Sequence, residues 1–320
     1  MTLPLELLEK RSRILQGIRD FFVERGFLEL ETPARVVCPG LEPHLVAIPA
    51  GKGRWLRTSP ELALKRALAA GAARIFEIAR VFRGDERGDW HLPEFTMLEW
   101  YRANAGLEAI AKDVEELLRA AAQAAAVDPV SVPGCDLSLS AERVTVRELC
   151  VRHAGLDLAK HRSRDALAHA LRVRDVDFDE RDDWDDLFFR LFLQWVEPHL
   201  GQGRVTIVSE YPASQAALAN VREDDEWPVA LRFEVYAAGI ELANAFDELT
   251  DPVEQRRRHQ ADRAAREMAG REVPEMDERF LGALESGMPP SAGIALGVDR
   301  LVALVLGRRR IGDVVAFSED

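Results

Sequence analysis

An α+β fold, an antiparallel β-sheet flanked by helices, is what this sequence predicts, and two observations carry the prediction. Apolar runs of strand character, RIFEIARVF, EFTMLEWYR, RVTIVSEYP, LRFEVYAAG, GIELANAF and SAGIALG, stand on either side of a long stretch with helical spacing. Their order with the helices is mixed rather than a β-α-β alternation, which removes the usual reason for a parallel sheet. With 320 residues, 47% of them hydrophobic, the chain can bury a large core as one domain or two.

The elements follow in order. Leu5, Leu8, Leu15, Ile18 and Phe22 recur at helical spacing over residues 5–25, and Gly26 closes that helix before the extended FLELETP and its proline stop. Ser59-Pro60-Glu61 supplies an N-cap, a first-turn proline and an acid to open the helix LALKRALAAG. The next two strands are joined by GDERGDWHLP, a polar, glycine-bearing hairpin loop. Residues 106–200 read as mostly helical, through GLEAIAKDVEELLRAAAQAAA, TVRELCVRHAG, SRDALAHALRV and WDDLFFRLFLQWVEPHL. Strands then return, broken by a helix that Asp251-Pro252 starts with Glu254 at the capping-box position. No internal repeat or low-complexity linker interrupts the chain.

Composition narrows the function classes. The N-terminal MTLPLELLEKRSR mixes acids and bases, and no stretch reaches the roughly 18 apolar residues of a membrane span, so a cytoplasmic protein without an anchor is expected. Cys38, Cys135 and Cys150 form no C-x-x-C pair. A net charge of −13 argues against a broad nucleic-acid surface, and the runs Arg256–Arg258 and Arg308–Arg310 read first as solvated faces.

Four places carry chemistry. Arg83 ends a strand and opens the hairpin loop; a guanidinium held there suits a phosphate, because its planar fork stays charged and donates two parallel hydrogen bonds, although a plain charged hairpin tip fits the same residues. On the return strand, alternation puts Phe95, Met97, Glu99 and Tyr101 on one face and Glu94, Thr96, Leu98 and Trp100 on the other. Glu99 is the member hardest to explain by packing, since carboxylates are seldom buried unpaired. In GIELANAFDELTD, Glu241 and Glu248 flank Ala243, Asn244 and Ala245 and offer oxygen donors suited to Mg²⁺ shared with substrate phosphates. Their odd separation sends them to opposite faces of a regular strand, so a shared role requires a bulge or strand end between them. Finally, GIALGVDR runs a small-residue strand into a helix, where Arg300 adds its charge to the helix start's own preference for anions. It matches neither a Walker A loop nor G-x-G-x-x-G.

FLELETP, the Arg83 loop leading into HLPEFTMLEWY, and GIALGVDR, in that order, resemble the three motifs of class II aminoacyl-tRNA synthetases. TSPE at 58–61, PEFTMLEWY at 93–101, GIELANAFDELTD at 239–251 and GVDRLV at 297–302 are similar to the lysine branch in particular, and the likeness is least informative over residues 125–205. Lysine-tRNA ligases carry an anticodon-binding domain ahead of the first motif, which Phe27 already begins here. The expectation is therefore a single catalytic domain over residues 1–320, with a mostly helical insertion at about 106–200 and no anticodon-binding domain. YPASQAALA at 211–219, RFEVYAAGIELANAF and the closing VVAFSED resemble the truncated relatives of that branch, the elongation factor P beta-lysine ligases. So does Ala295, where lysine-tRNA ligases have glycine.

The resemblance implies ATP-dependent activation of (R)-beta-lysine or lysine as an aminoacyl adenylate, with Mg²⁺, and transfer to a lysine side chain of elongation factor P. It implies a homodimer with FLELETP at the interface, and no tRNA partner. It implies that Ser59, Pro60, Glu61, Tyr101, Asn244 and Glu248 hold the amino acid, and that Arg83 and Arg300 are the catalytic arginines. ATP would be bound by Arg83, Gly84, Asp85, Leu92, Phe95, Glu241, Leu242, Gly297 and Arg300, and the metal by Glu241 and Glu248. The family's loop usually reads Arg-Asn-Glu and then His-Asn-Pro-Glu, where this chain has Arg83-Gly84-Asp85 and His91-Leu92-Pro93-Glu94, which leaves backbone groups or a shorter carboxylate for adenine; Ala245 replaces a usual glycine. A short lysine-tRNA ligase is disfavoured by the charge, and a non-catalytic regulatory subunit by the presence of both arginines.

Overall fold

Helix α1 (Leu5–Glu24) buries Ile14, Ile18, Phe21 and Phe22 along one face and ends where Gly26 turns left-handed at φ 73°. The computed structural model describes residues 4–317, so Met1–Leu3 and the last three residues of VVAFSED lie outside it. FLELETP yields only a short edge strand, β1 (Leu28–Glu29), beside β2 (Arg74–Phe82). Thr32 and Arg57 tie the rest of that segment down, donating to opposite oxygens of the buried Glu77 carboxylate at 2.7 and 2.8 Å. Helix α2 (Glu61–Ala69) begins one residue later than the cap reading placed it, with Ser59 Oγ accepting the Glu61 N–H at 2.9 Å. Strand β3 (Glu94–Ala103) returns antiparallel to β2, so the expected long hairpin is present.

The middle stretch forms α3 (Leu107–Ala124), α4 (Val146–Ala154), α5 (Arg164–Arg172) and α6 (Trp184–Leu191), the last widening into a π-helical turn over Phe192–Val196. Helix α3 shares the main core with α1 and the sheet, whereas α4 to α6 build a second core around Leu149, Leu167, Phe188 and Tyr211. A strand hides in this stretch: β4 (Glu142–Thr145) lies beside β5 (Thr206–Pro212). Four residues ending in the Thr145 that caps α4 show no alternation by which sequence could reveal them. Strands β6 (Val221–Arg222), β7 (Val229–Ala237) and β8 (Ile240–Asp247), helices α7 (Pro252–Met268) and α8 (Glu278–Glu285), strand β9 (Ser291–Gly297) and helix α9 (Val298–Val305) complete the chain.

The nine strands form one sheet in the order β1-β2-β3-β9-β8-β7-β5-β4, with β6 against the start of β7. The sheet is mixed rather than wholly antiparallel: β1 with β2 and β4 with β5 are parallel, each pair joined by a helical crossover. A second correction concerns α7. Asp251 accepts the Val253 and Glu254 N–H groups at 2.8 and 3.3 Å, but Glu254 turns forward to Arg257 and Arg258 instead of back, so there is no capping box. Two guanidiniums outcompete one backbone N–H.

Leu98 and Trp100 of β3, Ile294 and Leu296 of β9, and Ala243 and Ala245 of β8 point into the core against α1, α3 and α9. Alternation leaves Phe95, Met97, Glu99 and Tyr101 on the other face, as the sequence indicated. That face carries the site.

Candidate active site

The floor is made by what β9 leaves out. Gly293, Ala295 and Gly297 alternate onto the face opposite the core, and with Phe95, Met97 and Glu99 they underlie a cavity of about 280 Å³, Gly293 lying just beyond its edge. Ala295 stands in register between Glu99 of β3 and Asn244 of β8. At Gly293 a β-carbon would meet Tyr101 Cε1 at 2.2 Å and Glu248 Oε1 at 2.5 Å, so only glycine lets the tyrosine ring lie flat on the strand. The bulge that the sequence demanded is there: β8 slips against β7 between Val235 and Tyr236, Leu242 is left without a partner, and Glu241 comes round to the face of Asn244 and Phe246.

One end of the cavity is acidic. Ser59 Oγ donates to Glu99 Oε1 at 2.7 Å and the Tyr101 hydroxyl to Oε2 at 2.9 Å. Lys65, fully buried on α2, reaches Glu61 Oε1 at 2.6 Å and Glu248 Oε2 at 2.5 Å. Burial pushes Glu99 up to about 8, with Glu61 adding to it. Burial also raises Glu248 to about 8 against the pull of Lys65. For Lys65 the two carboxylates outweigh burial and hold its pKa above the usual lysine range. Glu42, lining the same end, is raised by burial and then by Glu61. Glu61, Glu99 and Glu248 thus surround one buried cation.

The other end is basic. Arg83, at the end of β2, lies over the Phe95 ring at 5.3 Å, makes a loose 3.7 Å ion pair with Glu86, and keeps a buried Nε with no partner. Arg300, on the first turn of α9, donates to the Glu241 and Trp90 carbonyls at 2.7 and 3.2 Å and meets His91 Nε2 at 2.8 Å. Burial and the Arg300 charge lower the His91 pKa, so the imidazole stays neutral. Asp299 is structural: its carboxylate takes the Thr96 N–H at 2.7 Å and pairs with Arg11 at 2.6 Å, pinning the start of α9 to β3 and α1. Burial, then Glu234, pushes Glu241 up to about 7, and Arg300 opposes this only from 3.6 Å.

A family model described as tRNA synthetases class II (D, K and N) matches residues 5–320. An elongation factor P–(R)-beta-lysine ligase from Edwardsiella ictaluri (strain 93-146) is 41% identical over 328 residues, spanning 99% of this chain and 96% of the relative. Ligases of the same name from Histophilus somni (strain 2336) and Pectobacterium carotovorum subsp. carotovorum (strain PC1) are 41% and 42% identical, over 97% of this chain and 94% of each relative. The chain belongs to the class II tRNA synthetases, on this ligase branch. The synthetase reading of the three motifs therefore stands, and the structure gathers most of the residues they named.

Ser59, Glu61 and Asn244 line the cavity, as do Arg83, Leu92, Phe95, Glu241, Leu242, Ala295, Gly297 and Arg300. Tyr101 and Glu248 do not line it; they lie beneath the acidic end, joined to Glu99 and Lys65. Pro60 serves as the cap position of α2. Gly84 and Asp85 also fall outside the lining: the Gly84 N–H is taken by the Val46 carbonyl at 2.7 Å, Asp85 sits in a left-handed turn at φ 61°, and Glu86 faces the cavity in their stead. The shared metal role of Glu241 and Glu248 is corrected as well. The bulge does bring them to one face, but roughly 20 Å of strand separates them at about 3.3 Å per residue, too far for one ion, and Lys65 occupies Glu248. Sequence reasoning missed Glu42 and Lys65; the latter's one signal is a lysine four residues after Glu61 on the same helix.

Proposed function

We propose that the chain activates (R)-beta-lysine with ATP as an aminoacyl adenylate and transfers it to a lysine side chain of elongation factor P, the reaction its relatives are named for. The observation that carries the substrate choice is charge balance. Glu61, Glu99 and Glu248 gather around Lys65 at one end of a cavity whose other end presents Arg83 and Arg300. A substrate with two ammonium groups and one carboxylate matches that polarity when its carboxylate points towards the arginines. Attack of this carboxylate on the α-phosphorus gives the adenylate and pyrophosphate, and the protein's share is positioning and neutralisation of charge.

In this reading Ser59, Glu61 and Asn244 orient the amino acid, with Tyr101 and Glu248 supporting them from below. Arg83 grips the α-phosphate, Phe95 stacks on adenine, and Gly297 and Arg300 face the remaining phosphates. Among the described residues no set of three His, Cys, Asp or Glu side chains is arranged to hold a metal. Glu241, whose carboxylate lines the cavity, would offer an oxygen to Mg²⁺, a hard cation that usually shares its protein ligands with substrate phosphates. Mg²⁺ bound there supplies charge neutralisation on the phosphates. The domain acts as one catalytic unit, as a homodimer through FLELETP, whose Leu28 is 59% exposed on an edge strand. No helix among the described residues is long and apolar enough to cross a membrane, and the cytoplasm is where ATP and a translation factor meet.

The test is ATP–pyrophosphate exchange with (R)-beta-lysine, α-lysine and other amino acids, followed by the mass of elongation factor P after incubation. Exchange favouring (R)-beta-lysine, with one added residue on the factor, is expected. A preference for α-lysine with charging of lysine tRNA would replace this reading with that of a short lysine-tRNA ligase.

A further inference from the structure

We infer that Glu42 is the proton acceptor that frees the incoming lysine amine for the transfer step, an assignment that rests on the ligase reading and adds a residue to it. Glu61, Glu99 and Glu248 are each tied to Ser59, Tyr101 or Lys65, but Glu42 Oε2 is buried without a hydrogen-bond partner. Such a group needs an explanation, because leaving it unpaired costs stability.

Its position supplies one. The charged groups that bear on it are Glu61 from α2, Arg83 from the end of β2, and Arg266 and Asp262 from α7. It thus lies between Glu61 and Arg83, and in the pose proposed above, with the amino groups at Glu61 and the α-phosphate at Arg83, the adenylate carbonyl lies between the same two residues. It also lines a second, smaller cavity bounded by Cys38, Leu218, His259 and Asp262. The carboxylate is held in place. A β-carbon at Gly40 would lie 2.6 Å from Oε2, so the glycine leaves the space the oxygen fills. Arg266 donates to the Glu42 and Leu45 carbonyls at 2.7 and 3.0 Å, and Arg271 to the Pro43 carbonyl at 2.7 Å, clamping the loop to α7. Burial and then Glu61 raise its proton affinity above that of an ordinary carboxylate, which makes it the stronger base.

The step balances as follows. The acceptor ammonium gives one proton to Glu42 Oε2, and the freed lone pair forms the C–N bond at the adenylate carbonyl. The C–O bond to AMP breaks with its electron pair leaving on the phosphate. The second nitrogen proton departs with that phosphate, and the amide keeps the third.

The isosteric Glu42→Gln variant tests this with two half-reactions: pyrophosphate exchange with (R)-beta-lysine, and single-turnover transfer of the enzyme-bound adenylate to elongation factor P. Transfer is expected to fall about 10²-fold or more relative to exchange. Hydroxylamine, uncharged at neutral pH and needing no base, should capture the adenylate equally fast in variant and wild type. Glu42→Asp keeps the charge one methylene further back and should restore part of the transfer rate; it also serves if the glutamine variant folds poorly. Exchange and transfer falling together with a raised KM for the amino acid would make Glu42 a substrate-binding group and overturn the assignment. So would transfer at the wild-type rate. Absence of exchange with every lysine isomer in the wild type would instead sink the ligase reading beneath it.

Discussion

Gly293→Ala should damage this enzyme although it adds one carbon. The new methyl would stand 2.2 and 2.3 Å from Tyr101 Cε1 and Cδ1 and 2.5 Å from Glu248 Oε1, so something must move. Neither neighbour is free: the Tyr101 hydroxyl is bonded to Glu99 at 2.9 Å, and Glu248 is paired with Lys65 at 2.5 Å. If strand β9 shifts instead, the cost is that of an overpacked core, roughly 1–3 kcal/mol. If the ring swings away, a buried hydrogen bond is lost and Glu99 is left under-satisfied, which costs about 1–3 kcal/mol. Either path costs about 1–3 kcal/mol, appearing as a lower Tm in the first case and as a loss in kcat/KM for the amino acid in the second. Thermal unfolding and exchange kinetics on the one variant separate the two. A Gly293→Ala protein with wild-type Tm and wild-type kcat/KM would refute the packing argument for the acidic end.

Arg83→Ala should slow adenylate formation by about 10²–10³-fold, as loss of one oxyanion clamp does, while the melting curve stays near wild type because its ion pair with Glu86 is a loose 3.7 Å contact; normal exchange would remove it from catalysis. Glu241→Gln should raise the Mg²⁺ concentration needed for half-maximal exchange, and an unchanged Mg²⁺ titration would take Glu241 out of the site. Ala295→Gly should lower the ratio of specificity constants for (R)-beta-lysine over α-lysine by about tenfold to two-hundredfold, since one methyl on the floor between Glu99 and Asn244 corresponds to roughly 1–3 kcal/mol; an unmoved ratio disproves that role. Glu99 sits at about 8 in the folded protein against an ordinary 4.5, so the folded state binds the extra proton between those values. Its contribution to stability is thus fully present below the ordinary value and is lost as pH rises through about 8, and Glu99→Gln should flatten that slope in pH-dependent unfolding.

Local rules made most of the fold legible. The paired strands around GDERGDWHLP, the helix opened at Asp251-Pro252 and the alternation of β3 all follow from residues close in sequence. What stayed hidden depends on distant partners. The parallel edges β1 and β4 are two and four residues long and exist only because β2 and β5 lie beside them. Glu254 looked like a capping-box member because sequence cannot weigh a backbone N–H against two arginines on the next turn. In the site, Arg83, Phe95 and Arg300 were readable from strand ends and a helix start. Lys65 and Glu42 were not, since their surroundings appear only when α2, β3, the 42–45 loop and the end of β8 converge.

The slipped residue in β8 has a consequence for how such a site can change. Because Leu242 faces no partner, the strand before it and the strand after it are out of phase. Were Leu242 drawn into the ladder as an ordinary paired residue, Glu241 would turn towards the helical layer while Asn244 and Phe246 stayed where they are. The phosphate end and the amino-acid end are thus coupled by parity rather than by reach. Substitutions downstream can retune which amino acid is accepted without disturbing the nucleotide, while loss of the bulge upstream would silence the nucleotide side and leave amino-acid recognition intact.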